Sequence, residues 1–414
     1  MAGGVPGDTV AHDLGRHGGS ATQHRRRTGA RTAQGAPARE GGDLVSLEIT
    51  AEQEALRETS RRFLSEATPL SRVREVMATD TVFDTELWTR MATELGALGL
   101  AVPEELGGAG LGYPEVSYLA EEAGRALAPG ALLATAGLAV PALMAGNERA
   151  RARLLPRIVD GAAVGAVAWL DPGADWSSTS PPTRAARDGH GWTLTGDTSP
   201  VLDGAVADVL LVLAEHPQGP TVFSVEPDQA GVTRTPLPGL DQTRGLARVE
   251  LDGAAAEPVS APGAGRAMVT TALDHANVVL ASEMVGGAQA CLDMSVEYAK
   301  EREQFGRPIG AFQAVKHKCA EVLVEVEGAR SMTRYAAWCA SHNTAELPTA
   351  SAIAKATAAE AYFRAAAENV QIHGGIGFTW EHDAHLYFKR AKTSQMLFGD
   401  TGAYRRHVAD LIGI

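Results

Sequence analysis

Two stretches in the C-terminal part of the chain carry residue types suited to a phosphorylated cofactor. In "REQFGRP", Arg302 supplies a permanent cation, and Gln304 and Phe305 supply a polar and a stacking neighbour. In "QIHGGIGF", Gly374, Gly375 and Gly377 remove side chains, so that peptide N–H groups can approach a pyrophosphate or ribose, while Gln371 can hydrogen-bond the cofactor. A diphosphate needs both charge and close backbone approach. Taken singly, the glycines suit equally a tight turn between helices, and the arginine a solvated face.

The elements that must position these residues are read from periodicity. Residues 1–44, rich in Gly, Ala, Arg and Thr with almost no large apolar residue, predict a disordered extension. Their Arg25 to Arg27 cluster reads as part of a functionless tail rather than as a targeting or nucleic-acid signal. From "LEITAEQEALRETSRRFLSEA" the pattern turns helical, with Ile49, Leu56 and Phe63 recurring and Thr50 set three residues ahead of Gln53, the spacing of a capping box. Helical runs continue through "YPEVSYLAEEAGRAL", interrupted by "AVPEELGGAGLG". Between 164 and 262, short runs such as "DVLLVLAE" and "TVFSVE" recur at about ten-residue intervals with Gly, Pro and Asp between them, which predicts a small antiparallel sheet or barrel. Over 263–414 long helical periods return and suit a four-helix bundle. The expected fold class is α+β, mainly α: an N-terminal helical domain (45–163), a middle β domain (164–262) and a C-terminal helical bundle domain (263–414).

A net charge of −13 and a pI near 5.4 argue against nucleic acid as a partner, because phosphate binding requires clustered Lys and Arg. No apolar run of about 18 residues is present, so no membrane partner is expected. Cys291, Cys319 and Cys339 lack any CxxC or Cys/His metal spacing. They read as buried free thiols, which points to a reducing, cytoplasmic compartment and to no metal.

Together, "YAKEREQFGRPIGAFQAVKHKCAE" and "ENVQIHGGIGFTWEHDAHLYFKRA" resemble the acyl-CoA dehydrogenase family. The likeness runs from about residue 48 to the end and includes "GLAVPEELGGAGLGYPEVSYLAEEAGRAL" and the helix, sheet, helix order. The resemblance implies an oligomer in which FAD lies across a subunit interface. It also implies that Arg302, Gln304, Phe305, Gln371, Gly374, Gly375 and Gly377, with Gln313 of "FQAVKH" nearby, serve the adenosine and pyrophosphate half of an FAD held mainly by the neighbouring subunit. The implied reaction is α,β-desaturation of an acyl-CoA thioester, in which a carboxylate takes the α-proton and the β-hydride passes to the flavin, with an electron-transfer flavoprotein as acceptor.

The same resemblance exposes a gap. Most members carry the base as the Glu of a "Y-E-G-T" type sequence; with Gln395 aligned, Phe398 occupies its place and Gly399 the glycine. Other members carry it on the first long helix of the C-terminal domain, and counting back 26 residues from Arg302 gives Ala276. Asp400 of "FGDTG" is the best remaining candidate for a displaced base, ahead of Glu283, which falls seven residues beyond Ala276. Where the family shows "T-E-P-x-x-G-S-D" and "W-I-T" stretches that contact flavin and substrate, this chain reads "WLDPGADWSSTS" and "TGDTSPVLDGAVAD". Asp171 and Pro172 keep the outline, Trp176, Ser177 or Ser178 stand as substitutes, and Pro200 and Val201 sit where the aromatic belongs. The chain thus keeps residues that would serve a neighbour's FAD and lacks those that would serve its own, which resembles the non-catalytic subunits of actinobacterial heteromeric acyl-CoA dehydrogenases. Such a hetero-oligomer with a catalytic subunit is the leading expectation. Beside it stand a self-sufficient homo-oligomer using Asp400 and a flavin-free binding or structural protein with the same fold.

Overall fold

The first helix begins where the capping box is expected. Thr50 Oγ1 accepts from the Gln53 amide at 3.2 Å, and Gln53 Oε1 accepts from the Thr50 amide at 3.1 Å, so α1 runs Ala51–Ala67. The structure, a computed structural model, describes residues 48–176, 178, 180–189 and 191–414; the tail expected over residues 1–44 lies outside them. Next come α2 (Leu70–Met77), α3 (Thr85–Leu95), α4 (Tyr113–Arg125), α5 (Val140–Met144) and α6 (Glu148–Val159). Just before α5, Leu133–Ala139 winds as a π-helix in which every residue is buried.

The middle region is a seven-stranded sheet of β1 (Gly165–Ala168), β2 (Thr183–Asp188), β3 (Gly191–Leu202), β4 (Val209–Glu215), β5 (Thr221–Val225), β6 (Val232–Pro236) and β7 (Leu246–Pro258). The antiparallel expectation needs correction, because β4 runs parallel to β1, pairing Gly165 with Val209, and parallel to β2 at Thr183 and Ala214. Those partners are joined by long crossovers, which parallel pairing demands, rather than by hairpins. β4 lies inside the sheet and is buried in all but its last residue. This explains why "VLLVLAE" reads as a continuous apolar run rather than an alternating one.

α7 (Gly265–Glu301) is a 37-residue rod, buried on nearly every side from His275 to Leu292. A small hairpin of β8 (Glu303–Gln304) and β9 (Arg307–Pro308) follows, then α8 (Gln313–Ser341), α9 (Leu347–His373), α10 (Ala384–Met396) and α11 (Thr401–Ile412). α4 meets α7 backbone to backbone: a Cβ added at Gly286 would lie 1.7 Å from the Glu121 carbonyl oxygen. Ser117 and Ser282 share a hydrogen bond of 2.7 Å across the same seam.

Buried charge ties the sheet region to the helices on either side of it. Arg390 of α10 donates to Asp241 at 2.7 Å, and Arg244 donates to Glu283 of α7 at 2.5 Å. Asp203, just past β3, lies in the same cluster, and its Oδ2 has no hydrogen-bond partner among the described residues. Cys291 and Cys339 are buried free thiols as expected, whereas Cys319 of α8 is half-buried at the edge of the core. Among the described residues, no His, Cys, Asp and Glu cluster is placed to hold a metal ion, and no helix is long and apolar enough to cross a membrane.

Candidate functional site

Arg302 ends α7 and opens the hairpin. Its amide donates to the Tyr298 carbonyl at 2.8 Å, and its own carbonyl accepts from Ile309 at 2.7 Å. The guanidinium is exposed and engages no other side chain among the described residues. Phe305, at the hairpin tip, has φ +55° and is 91% exposed, with its ring edge-on to Phe312 at 6.1 Å. An aromatic ring held outward in the left-handed region offers a face to an external group. Gln304 is less free than expected, since its amide donates to the Glu303 carbonyl at 2.9 Å. Gln313 opens α8 and is exposed.

The glycine stretch ends α9. Gly374 takes φ +63° and ψ −136°, a conformation that only glycine adopts freely. No atom lies within 4 Å of a Cβ built on Gly374 or Gly375, so this backbone is open to an outside group, with exposed Gln371 beside it. Gly377 has a different reason to lack a side chain: a Cβ there would meet the Val370 carbonyl oxygen at 2.8 Å, so its absence serves the packing of the turn on α9. A stack of rings brings the two stretches together. Tyr298, one turn before Arg302, stacks on His373 at 4.2 Å, and His373, the residue before Gly374, lies 4.3 Å from His382.

At the position where the resemblance sets the base, Phe398 is buried with φ +60°. Its ring meets Trp176 edge-on at 5.6 Å and Trp169 at 6.2 Å, and the two indoles are 6.0 Å apart. Lys355 of α9 holds this turn from within. It is fully buried and donates to the Gln395 carbonyl at 2.8 Å and to the Gly399 carbonyl, with its ammonium 4.5 Å over the Tyr404 ring. Burial pushes this lysine down to about 7, against the pull of the nearby Asp400 carboxylate.

Asp400 itself is exposed and caps α11, its Oδ1 accepting from the Ala403 amide at 2.7 Å, so one oxygen is committed to the helix. Ala276 is fully buried on α7, and Glu283 is committed to Arg244. On the sheet side, Asp171 and Pro172 are exposed, Val201 is buried and Pro200 is half-buried, while Ser177 lies outside the described residues. Trp176 packs against Phe398.

Several of these residues escaped the sequence reading. Lys355 stands in the alanine-rich "SAIAKATAAEA", where a charge in an otherwise small and apolar helix is itself a signal of a specific partner. Phe378 and Trp380, 85% and 63% exposed, flank the glycine turn in "GFTWEHDAH", a segment too polar to be core.

A family model of the acyl-CoA dehydrogenase N-terminal domain matches residues 50–162, and one of the C-terminal domain matches residues 263–413. Acyl-CoA dehydrogenase IpdE2 of Mycobacterium tuberculosis is 37% identical over 346 residues, covering 84% of this chain and 92% of that protein. Among solved structures, the chain is similar to a variant of the Tcur3481-Tcur3483 steroid ACAD, at 33% identity and a TM-score of 0.80 over 88% of this chain and 98% of that one. It is also similar to a chain of the ChsE4-ChsE5 complex from Mycobacterium tuberculosis, at 30% identity and a TM-score of 0.79 over 89% and 100%. An N-terminal helical region, a middle sheet and a C-terminal bundle in this order, matched over nearly their whole length, leave one conclusion: the chain belongs to the acyl-CoA dehydrogenase family, a family of FAD-dependent flavoprotein oxidoreductases.

Proposed function

We propose that this chain is a subunit of a heteromeric FAD-dependent acyl-CoA dehydrogenase, in which it completes the flavin site of a catalytic partner. The observation that carries this reading is the ring cluster of Phe398, Trp169 and Trp176. Desaturation of an acyl thioester requires a proton acceptor within hydrogen-bond reach of the α-carbon, and an aromatic wall stands where that acceptor is expected. The cradle, by contrast, keeps the groups that the adenosine diphosphate half of FAD requires. Arg302 is a cation with no ion-pair partner among the described residues, available to the pyrophosphate, Phe305 is a stacking face, and Gly374 and Gly375 are an open run of backbone, with exposed Gln304, Gln313 and Gln371 completing the set.

FAD bound there supplies the hydride acceptor for α,β-desaturation. This chain's part is to bind and orient the cofactor, while the acyl-CoA thioester and the proton acceptor belong to the partner. The similarity to a steroid ACAD and to a two-protein complex supports both the heteromer and a steroid-derived acyl group. An electron-transfer flavoprotein as acceptor follows from the family, and three unpaired thiols suit a cytoplasmic setting.

One observation favours a second reading, a self-sufficient homo-oligomer with Asp400 as base. The indole N–H of Trp169 is buried with no acceptor among the described residues, a donor free to serve a ligand at this chain's own site. The two readings separate in one experiment. The purified chain, given FAD, an artificial electron acceptor and short, branched and steroid acyl-CoA thioesters, is expected to show no turnover, whereas the complex co-expressed with a catalytic homologue turns over and is indifferent to Asp400→Asn in this subunit. Robust turnover by the chain alone, lowered roughly 10²-fold or more by Asp400→Asn, would establish the homo-oligomer instead.

A further inference from the structure

We propose that His373 is a positioning residue whose ring couples the Arg302 hairpin to the Gly374 turn, so that the two halves of the cradle keep one register. The purpose of this coupling rests on the cofactor reading above; its geometry does not. Tyr298 stacks on His373 at 4.2 Å and 27°, and His382 lies against it at 4.3 Å and 50°. The His373 ring is fixed on its own helix, with Nδ1 2.8 Å from the Asn369 carbonyl, and Asn369 Oδ1 accepts from Ser295 of α7 at 3.1 Å. At the other end, His382 Nδ1 accepts from the Ala384 amide at 3.1 Å, and the adjoining Asp383 is held by Arg74 of α2 at 2.8 Å. A continuous line of contacts therefore runs from the N-terminal helices through His382 and His373 to Tyr298, one helical turn short of Arg302. The cradle groups themselves are exposed, and among the described residues no hydrogen bond or ion pair joins Arg302 or Phe305 to the glycine turn. The ring column, with the Ser295–Asn369 hydrogen bond beside it, joins α7 to α9 next to the two halves.

The groups that face this column are Tyr298 from α7, Asn369 from α9, Asp383 and His385 around the start of α10, and Arg74 from α2. Burial, and for His373 the neighbouring His382, hold both imidazoles below their ordinary range. A histidine depressed in the folded state contributes stability that is lost as pH falls, so acid sets two cations against each other and loosens the column.

Amide exchange of the full chain, expressed as protection factors over residues 302–309 and 374–379, tests the coupling. His373→Ala is expected to lower protection in both segments together by roughly 3- to 10-fold, the range that a ring stack is worth. His373→Phe, which keeps a ring and cannot be protonated, is expected to restore it. Between about pH 7.5 and pH 5.5 the native chain should lose protection in both segments, and His373→Phe, which leaves His382 as the titrating imidazole of the stack, should lose clearly less. Unchanged protection in His373→Ala, a loss confined to one segment, or a native-like pH response in His373→Phe would overturn the proposal. In the co-expressed complex, FAD affinity should fall by the same factor in His373→Ala. A complex that binds no FAD in any form, while the two segments respond together, would end the cofactor reading and leave the positioning role standing.

Discussion

Phe398 is held in a conformation that an L residue adopts at a cost, and the surroundings supply the compensation. Lys355 ties down the carbonyls on both sides of it, and two indoles close over its ring. Removing that ring should be felt at once. Phe398→Ala is expected to destabilise the chain by about 3 kcal/mol, because a buried aromatic replaced by alanine loses its transfer energy and leaves a cavity. It should also shift the emission of Trp169 and Trp176 to longer wavelength as water enters. A melting temperature and spectrum equal to those of the native chain would mean that the three rings do not pack as a unit.

Between elements, the informative feature is the buried set of Asp203, Asp241 and Glu283 against Arg244 and Arg390. Burial first, and then Glu283, push the Asp203 carboxyl up to about 7, while Arg244 and Arg390 pull it down. A carboxyl that is raised in the folded state binds its proton more tightly there than in the unfolded chain. Its contribution to stability is therefore complete below the ordinary carboxyl range and is lost as pH rises through about 7. Asp203→Asn removes that titration and keeps a residue type that tolerates φ +52°. The variant should melt above the native chain at pH 8, by about 1 °C for each kcal/mol gained in a chain of this length, with the gap closing towards pH 5. A gap that is constant with pH would show that Asp203 is ionised throughout.

Much at this scale was legible beforehand, for local reasons. The capping box at Thr50, the breaks at "AVPEELGGAGLG" and the return of helical periods near residue 263 are written in adjacent residues. The parallel pairing of β1 with β4 was not, because strand direction is set by the path between strands and leaves no mark within either. Nor could the sequence separate Gly374 and Gly375, open to solvent, from Gly377, pressed on Val370. The stack of Tyr298, His373 and His382 draws on three segments, and no single stretch announces it.

For the whole molecule, Arg302, Phe305, Phe378 and Trp380 each present an exposed cationic or aromatic group on a chain whose net charge is −13. Groups of this kind contribute little to the isolated fold and much to what docks on them. Arg302→Ala should therefore leave the melting temperature of the isolated chain within a degree or so, since the guanidinium has no partner among the described residues to lose. In the co-expressed complex it should weaken flavin retention by roughly 10- to 100-fold, as expected for a charged hydrogen bond worth about 1.5–3 kcal/mol. Flavin content per complex after extensive dialysis measures this directly, and an unchanged ratio would remove Arg302 from the site.

The ring cluster has a historical consequence. A Phe398→Glu exchange would set a carboxylate between two indoles, near a lysine that already gives two of its three donors to carbonyls. Shrinking Trp169 or Trp176 first would open a hole with nothing to fill it. On the heteromeric reading, a carboxylate at position 398 is therefore reached only through exchanges that each cost stability first. The aromatic wall then acts as a ratchet, in which the packing that stabilises this turn is the same packing that keeps a carboxylate out of it.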